Sequence, residues 1–166
     1  MSFEGKIYQD LTTDEVSPSH RRTFGQEKNC GKCPSGWLLL KTSCYYFSNY
    51  EPESRKNWSD SRADCIRQGG DLLIINNLEE QVDLSRQASQ SGFWIGLRDV
   101  EEEGVWKWVD GTRLTEGFWN VGEPNNLNNE DCAAVYPKSN PFMSWNDAPC
   151  NYNLKWICEM APRSFG

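Results

Sequence analysis

The sequence has no long hydrophobic run. Its longest apolar stretches, Trp37 to Leu40 and Leu72 to Ile75, are a few residues each, whereas a helix needs about 20 to cross a bilayer, so no membrane span is expected in this chain. It is also short of positive charge. Seventeen Lys plus Arg stand against 24 Asp plus Glu, a net charge of −7, which removes the electrostatic footprint of a protein that binds nucleic acid or an anionic membrane surface. There is one histidine, His20, and no Ser or Cys has a plausible base near it in sequence, so the expectation is a non-enzyme. Residues 1 to 29 lack the apolar core of a secretory signal. Against these absences stand seven cysteines, eight tryptophans and a glycosylation sequon at Asn57-Trp58-Ser59. Thiols and sequon fit an oxidising compartment, so an extracellular location, secreted or as a cell-surface ectodomain, is expected even though no export signal or transmembrane segment is visible.

Length allows one domain with a short appendage. Residues 1 to 29 carry few large apolar side chains, at no regular period, and read as a disordered tail. Within it Tyr8-Gln9-Asp10-Leu11 resembles a short tyrosine-based signal, although patterns this short arise often by chance. The folded domain is expected over residues 30 to 162. Short strands are expected at Leu38 to Leu40, Ser43 to Ser48, Phe93 to Arg98, Val105 to Val109, Cys132 to Tyr136, Met143 to Asn146 and Lys155 to Met160. One helix should run from a Ser59 cap to Gln68, stopped by Gly69-Gly70. A second should begin at Asn77, with Glu80 completing a capping box and Leu78 and Val82 turned to the core. Helices early, strands late and a long polar connection from Asp110 to Met143 make an α+β domain, and loops of that length are usually functional.

Cys30-Gly31-Lys32-Cys33 places two thiols at the spacing of a redox or zinc site. No strand precedes it, no second close pair exists and the sole histidine lies in the tail, so neither use is supported. The spacing of Cys30, Cys33, Cys44, Cys65, Cys132, Cys150 and Cys158 leaves their pairing open, and the odd count leaves at least one unpaired.

Acids and amides concentrate at Glu123-Pro124-Asn125-Asn126, Glu130-Asp131 and Asn146-Asp147, with Asp99 and Glu103 upstream. Carboxylate and amide oxygens gathered in a loop suit a hard cation, and Ca2+ takes about six to eight of them. The plainer alternative is a solvated acidic surface.

The ordered set Cys33-Pro34-x-x-Trp37, Cys44-Tyr45-x-Phe47, Trp58 with Ala63-x-Cys65, Trp94-Ile95-Gly96-Leu97, Trp106-x-Trp108 with Asp110-Gly111, Glu123-Pro124-Asn125, Asp131-Cys132, Trp145-Asn146-Asp147, Cys150 and Trp156-Ile157-Cys158 resembles the C-type lectin domain. The resemblance covers about Cys33 to Met160 and is nearest to the type II myeloid receptors that bind mannose and fucose. It implies a disulfide-stapled fold of two helices and short antiparallel sheets around a long calcium-binding loop region. It implies bridges Cys33 to Cys44, Cys65 to Cys158 and Cys132 to Cys150, leaving Cys30 for an interchain link. Trp94, Trp106, Trp108 and Trp156 are expected in the core.

By the same resemblance Glu123, Asn125, Glu130, Asn146 and Asp147 match a principal calcium site, to which the Asp147 carbonyl adds a ligand. Asp99, Glu103, Asn126 and Asp131 match an auxiliary one. The principal set, with Leu127 beside it, would also touch the sugar, and Pro124 between two ligands suggests a cis peptide. The order Glu-Pro-Asn is similar to sites that prefer the equatorial hydroxyl pairs of mannose, N-acetylglucosamine and fucose over galactose. Ala148 and Pro149 stand where some oligomannose binders carry polar residues. The expected partners are therefore mannose-type glycans, glycoproteins or microbial surface polysaccharide, met in innate immune recognition and bound weakly by each single site. A calcium-braced module that binds a protein is the alternative, and competition by free mannose separates the two.

Overall fold

The computed structural model describes residues 31–48, 51–87, 92–126, 129–136 and 140–163. The expected tail with its Tyr8 to Leu11 signal, Cys30 and Leu127 lie outside the described residues. Among these residues eight strands and two α-helices follow one another: β1 (Leu38–Leu40), β2 (Ser43–Phe47), α1 (Trp58–Arg67), β3 (Asp71–Leu72), α2 (Leu78–Gln87), β4 (Phe93–Arg98), β5 (Lys107–Trp108), β6 (Cys132–Val135), β7 (Trp145–Ala148) and β8 (Lys155–Met160). The sheet runs β1-β2-β8-β4-β6-β7, with β3 added on β8 and β5 on β4. Neighbours are antiparallel except β4 and β8, which run parallel. This is the α+β C-type lectin-like architecture expected from the sequence.

The apolar residues of β4 and β8 are buried on both faces, as their near-continuous hydrophobic runs require. One part of the core gathers Leu73, Ile95, Leu97, Trp106, Trp108, Phe118 and Trp145. The other packs α1 against the sheet through Trp58, Cys65, Leu72, Trp94, Trp156 and Cys158. Trp94, Trp106, Trp108 and Trp156 are all buried. Gly96 lets β4 approach the preceding segment closely, because a Cβ there would meet the Leu72 and Leu73 carbonyl oxygens at 3.0 Å. Three disulfides close at Cα–Cα separations of 5.7 Å for Cys33 and Cys44, 5.4 Å for Cys65 and Cys158, and 5.2 Å for Cys132 and Cys150, inside the normal range.

Several expectations need correction. The cap of α1 is Asn57, whose Oδ1 accepts the Asp60 N–H at 2.8 Å. Ser59 is the second helical residue, because Trp58 must enter the first turn to become buried. As expected, Gly69 stops the helix after its Gln68 cap, at a φ of +100° that suits only glycine. At α2 Asn77 does cap, accepting from the Glu80 N–H at 2.7 Å. The Glu80 carboxylate returns not to Asn77 but to the Asn76 N–H, 2.8 Å away. Leu78 is 51% exposed, and the buried residues of this helix are Gln81 and Leu84. The strand expected at Met143 to Asn146 begins two residues later, since Pro141–Met143 forms a 3-10 turn. The strand expected at Val105 to Val109 shortens to two residues, and β3 was not expected at all.

Candidate functional site

Two loops and the β6–β7 pair bring the acids together. In the first cluster, carboxylate oxygens of Glu123, Glu130 and Asp147 lie within 4.8 Å of one another. In the second, Asp99, Glu103 and Asp131 do the same. Glu130 and Asp131 are consecutive residues just before β6, so one point of the backbone feeds both clusters. Strands β6 and β7 are paired through Cys132↔Ala148 and Ala133↔Asp147, and the Cys132 to Cys150 bridge ties their ends beside the acids.

Asp147 is the anchor of the first cluster. It is 4% exposed and accepts the Asn125 N–H at 3.2 Å and the Asn126 N–H at 2.7 Å, drawing the loop onto β7. The Glu123–Pro124 peptide is cis, and Asn126 adopts a φ of +52°. The Asn125 Nδ2 donates to Glu123 Oε2 at 3.0 Å. Burial, with help from Asp147 and Glu130, pushes the Glu123 carboxyl up to about 7. In the second cluster the Asp99 N–H donates to the Asp131 carbonyl at 2.9 Å, and Gly104 N–H donates to Asp99 Oδ2 at 2.9 Å. Burial first, then Glu103 and Asp131, push Asp99 up to about 7 despite that bond. Both clusters therefore hold crowded, desolvated carboxylates that repel one another.

Three oxygens decide how this arrangement reads. Asp99 Oδ1, Asp131 Oδ1 and Asn146 Oδ1 are buried with no hydrogen-bond partner among the described residues. A buried acceptor left unpaired is costly, and a cation is the partner that would satisfy all three. Oxygen-only donors, acid-rich and without Cys or His, fit calcium better than zinc. So the structure brings together Glu123, Glu130 and Asp147, ties Asn125 to them by hydrogen bonds, and assembles Asp99, Glu103 and Asp131. Asn146 is next to Asp147 on β7 and half-buried. The Asn126 backbone N–H meets the first cluster at Asp147. Leu127 lies outside the described residues.

Sequence reasoning missed Gln81. It is 1% exposed, and its Oε1 accepts the Trp145 indole N–H at 3.0 Å while its Nε2 faces the Ser144 hydroxyl at 2.9 Å and the Pro141 carbonyl at 2.6 Å. A helix far along the chain thus holds the strand that carries Asn146 and Asp147. A polar residue on the inner face of a helix was the available signal.

A family model described as "Lectin C-type domain" matches residues 54–160. A mouse protein, "C-type lectin domain family 4 member E", is 44% identical over 82% of this chain and 63% of its own length. The CD209 antigen of Symphalangus syndactylus is 41% identical over 83% of this chain and 35% of its own. The chain thus spans between about a third and just under two thirds of these curated relatives. Among solved structures, the cow carbohydrate-recognition domain of CD23, determined in the presence of a GlcNAc2Man3 oligosaccharide, superposes with a TM-score of 0.71 at 35% identity, covering 80% of this chain and 98% of that one. These matches define a carbohydrate-recognition class of fold rather than an enzyme. The chain belongs to the C-type lectin domain family. Among the described residues no helix is long and apolar enough to cross a membrane.

Proposed function

We propose that the chain is a calcium-dependent lectin domain for glycans of the mannose, fucose and N-acetylglucosamine type. The observation that carries this reading is the first cluster: Glu123, Glu130 and Asp147 converge within 4.8 Å at a loop containing Glu123-Pro124-Asn125. Glu123, Asn125, Glu130, Asn146 and Asp147 would hold the principal ion, and Asp99, Glu103, Asn126 and Asp131 an auxiliary one. A calcium ion held there would supply a hard Lewis acid with an affinity for sugar hydroxyls. The side chains do the discriminating. Glu123 and Glu130 accept the hydroxyl protons, and Asn125 and Asn146 donate amide N–H groups to the hydroxyl lone pairs, so each sugar hydroxyl is satisfied on every side. The acid-then-amide order across Pro124 favours the mannose-type diol. The second cluster braces the Asp99 to Gly104 turn against β6.

Three disulfides support an oxidising, extracellular setting, and Asn57 stands as a candidate for N-glycosylation there. The backbone bridge between Lys32 and Arg163 supports a domain spanning about residues 30–162. A site that holds one sugar binds weakly, so clustered glycans on glycoproteins or microbial surfaces are the natural targets, met in innate immunity. Cys30 remains for an interchain link.

The test is retention on immobilised mannan. Retention in calcium, lost with chelator and reversed by free mannose but not galactose, supports the reading. A folded protein that ignores mannan in calcium overturns it in favour of a calcium-braced protein-binding module.

A further inference from the structure

On the flank of the molecule, helix α1 and the β4–β5 pair enclose a cleft of about 140 Å³ lined by Arg62, Arg98, Lys107, Glu101, Val105 and Val109, among others. It is distinct from both acidic clusters and has the opposite chemistry. Arg98 and Lys107 face each other across the strand pairing, and Arg62 reaches in from α1.

Two of these three cations are already matched. Arg62 forms a fork with Asp71 at 3.0 and 3.2 Å, and Lys107 pairs with the exposed Glu101 at 3.0 Å. Arg98 is not matched. Its guanidinium lies 4.3 Å over the Trp58 ring, and among the described residues its side chain enters no hydrogen bond or ion pair. Trp58 is itself fixed by its indole N–H donating to the Ile95 carbonyl at 2.9 Å, so the platform is rigid. Stacking uses the face of the guanidinium and leaves its in-plane N–H donors open. Glu101, the carboxylate in the cleft lining, is engaged by Lys107. In a chain of net charge −7, with acids to spare, an arginine left unpaired beside another arginine has the character of a binding group.

We propose that this cleft is a second binding site, for a tetrahedral oxyanion such as a sulfate or phosphate ester, with Arg98 as its forked donor. Arg62 and Lys107 add positive field, and the valine wall lowers the local dielectric and strengthens the pairing. None of the site's residues belongs to either acidic cluster, and Glu101 alone of its charged residues lies in the turn that the second cluster braces. The site would let the domain distinguish glycans that carry a charged ester from those that do not.

The experiment is an NMR titration of the folded protein in calcium-free buffer. Inorganic sulfate and inorganic phosphate serve as separate probes, each against sodium chloride at matched ionic strength. The expected result is a saturable shift of the Trp58 indole N–H and of amides in residues 96–111, absent with chloride. Arg98→Gln should raise the half-saturation concentration at least tenfold, and Lys107→Gln, on the exposed side of the pair, about threefold. Sulfate and phosphate responding alike marks general oxyanion binding, and one responding alone names the ester. A response no different from that to chloride overturns the proposal. So does an unchanged titration in Lys107→Gln together with Arg98→Gln, and should Arg98→Gln fail to fold, Lys107→Gln decides alone.

Discussion

The face that packs α1 on the sheet and the face that carries the acids are built on opposite rules. In the first, buried polar groups find partners: Asp64 accepts the Trp156 indole N–H at 3.2 Å and the Gln68 amide at 2.8 Å, and the Trp94 indole donates to the Lys56 carbonyl at 3.0 Å. The exception on that side is Arg55 Nε. At the acidic face three oxygens find no partner among the described residues, and burial and crowding push two carboxyls up to about 7. A surface that sacrifices its own satisfaction while its scaffold does not is one arranged for an external partner.

The sharpest way to break the contrast is to damage the scaffold. Trp94→Ala removes a fully buried ring and should cost about 3 to 5 kcal/mol. Loss of the Cys65 to Cys158 bridge, which closes a separation of 93 residues, should cost about 4 to 5 kcal/mol. Chemical denaturation of either variant checks this, and both should lose structure with or without calcium. Asp147→Ala should do the reverse. Mannan retention in calcium should fall by more than tenfold, while the melting temperature in chelator stays close to that of the parent. For the parent, calcium at about 100 times its dissociation constant should add about 2.7 kcal/mol to stability, a gain that Asp147→Ala should largely forfeit.

A smaller effect separates the faces by pH. Burial pushes the Glu159 carboxyl on β8 up to about 7 from its ordinary 4.5. Between those values the folded chain holds this proton more tightly than the unfolded chain does, so stability falls as pH rises from about 4.5 to 7 and is level above. Glu159→Gln, which can still accept the Ile74 N–H, should reduce that slope in melts run with chelator, the remainder coming from Asp99 and Glu123, which are raised to about 7 as well. Mannan binding in calcium should move the other way, weakening as acid protonates the ligands. The smallest effect is at the α1 cap: Asn57→Ala should cost about 1 kcal/mol and Asn57→Asp far less, read by thermal melts of protein free of glycan.

Much of this was legible in the residues. Strands β4 and β8 fall at their expected bounds because both are apolar runs with turn residues at each end, a pattern little else can satisfy. The acids were legible as oxygen donors, and the three bridges followed from the resemblance of the cysteine frame. The misses have physical causes. Asn57 and Ser59 are equally good caps in isolation, and only the burial of Trp58, whose N–H donates to the Cys150 carbonyl at 3.0 Å, selects between them. Leu78 was assigned to the core on periodicity, but the inner face of α2 is committed to Gln81, whose value comes from three partners about 60 residues away in sequence. Strand β3 is two residues long and exists because β8 offers it an edge. The unpaired oxygens could not be foreseen, since an orphan is defined by what the rest of the fold fails to supply.

The adjacency of Glu130 and Asp131 carries one last consequence. Fixing a residue's backbone costs about 1 to 2 kcal/mol of conformational entropy, and here a single dipeptide must be fixed for either cluster to close. Whichever cluster fills first has already immobilised the segment its neighbour requires. Calcium uptake should therefore be steeper than two independent sites allow, with a Hill slope above one that returns to unity when Asp131 is replaced by alanine.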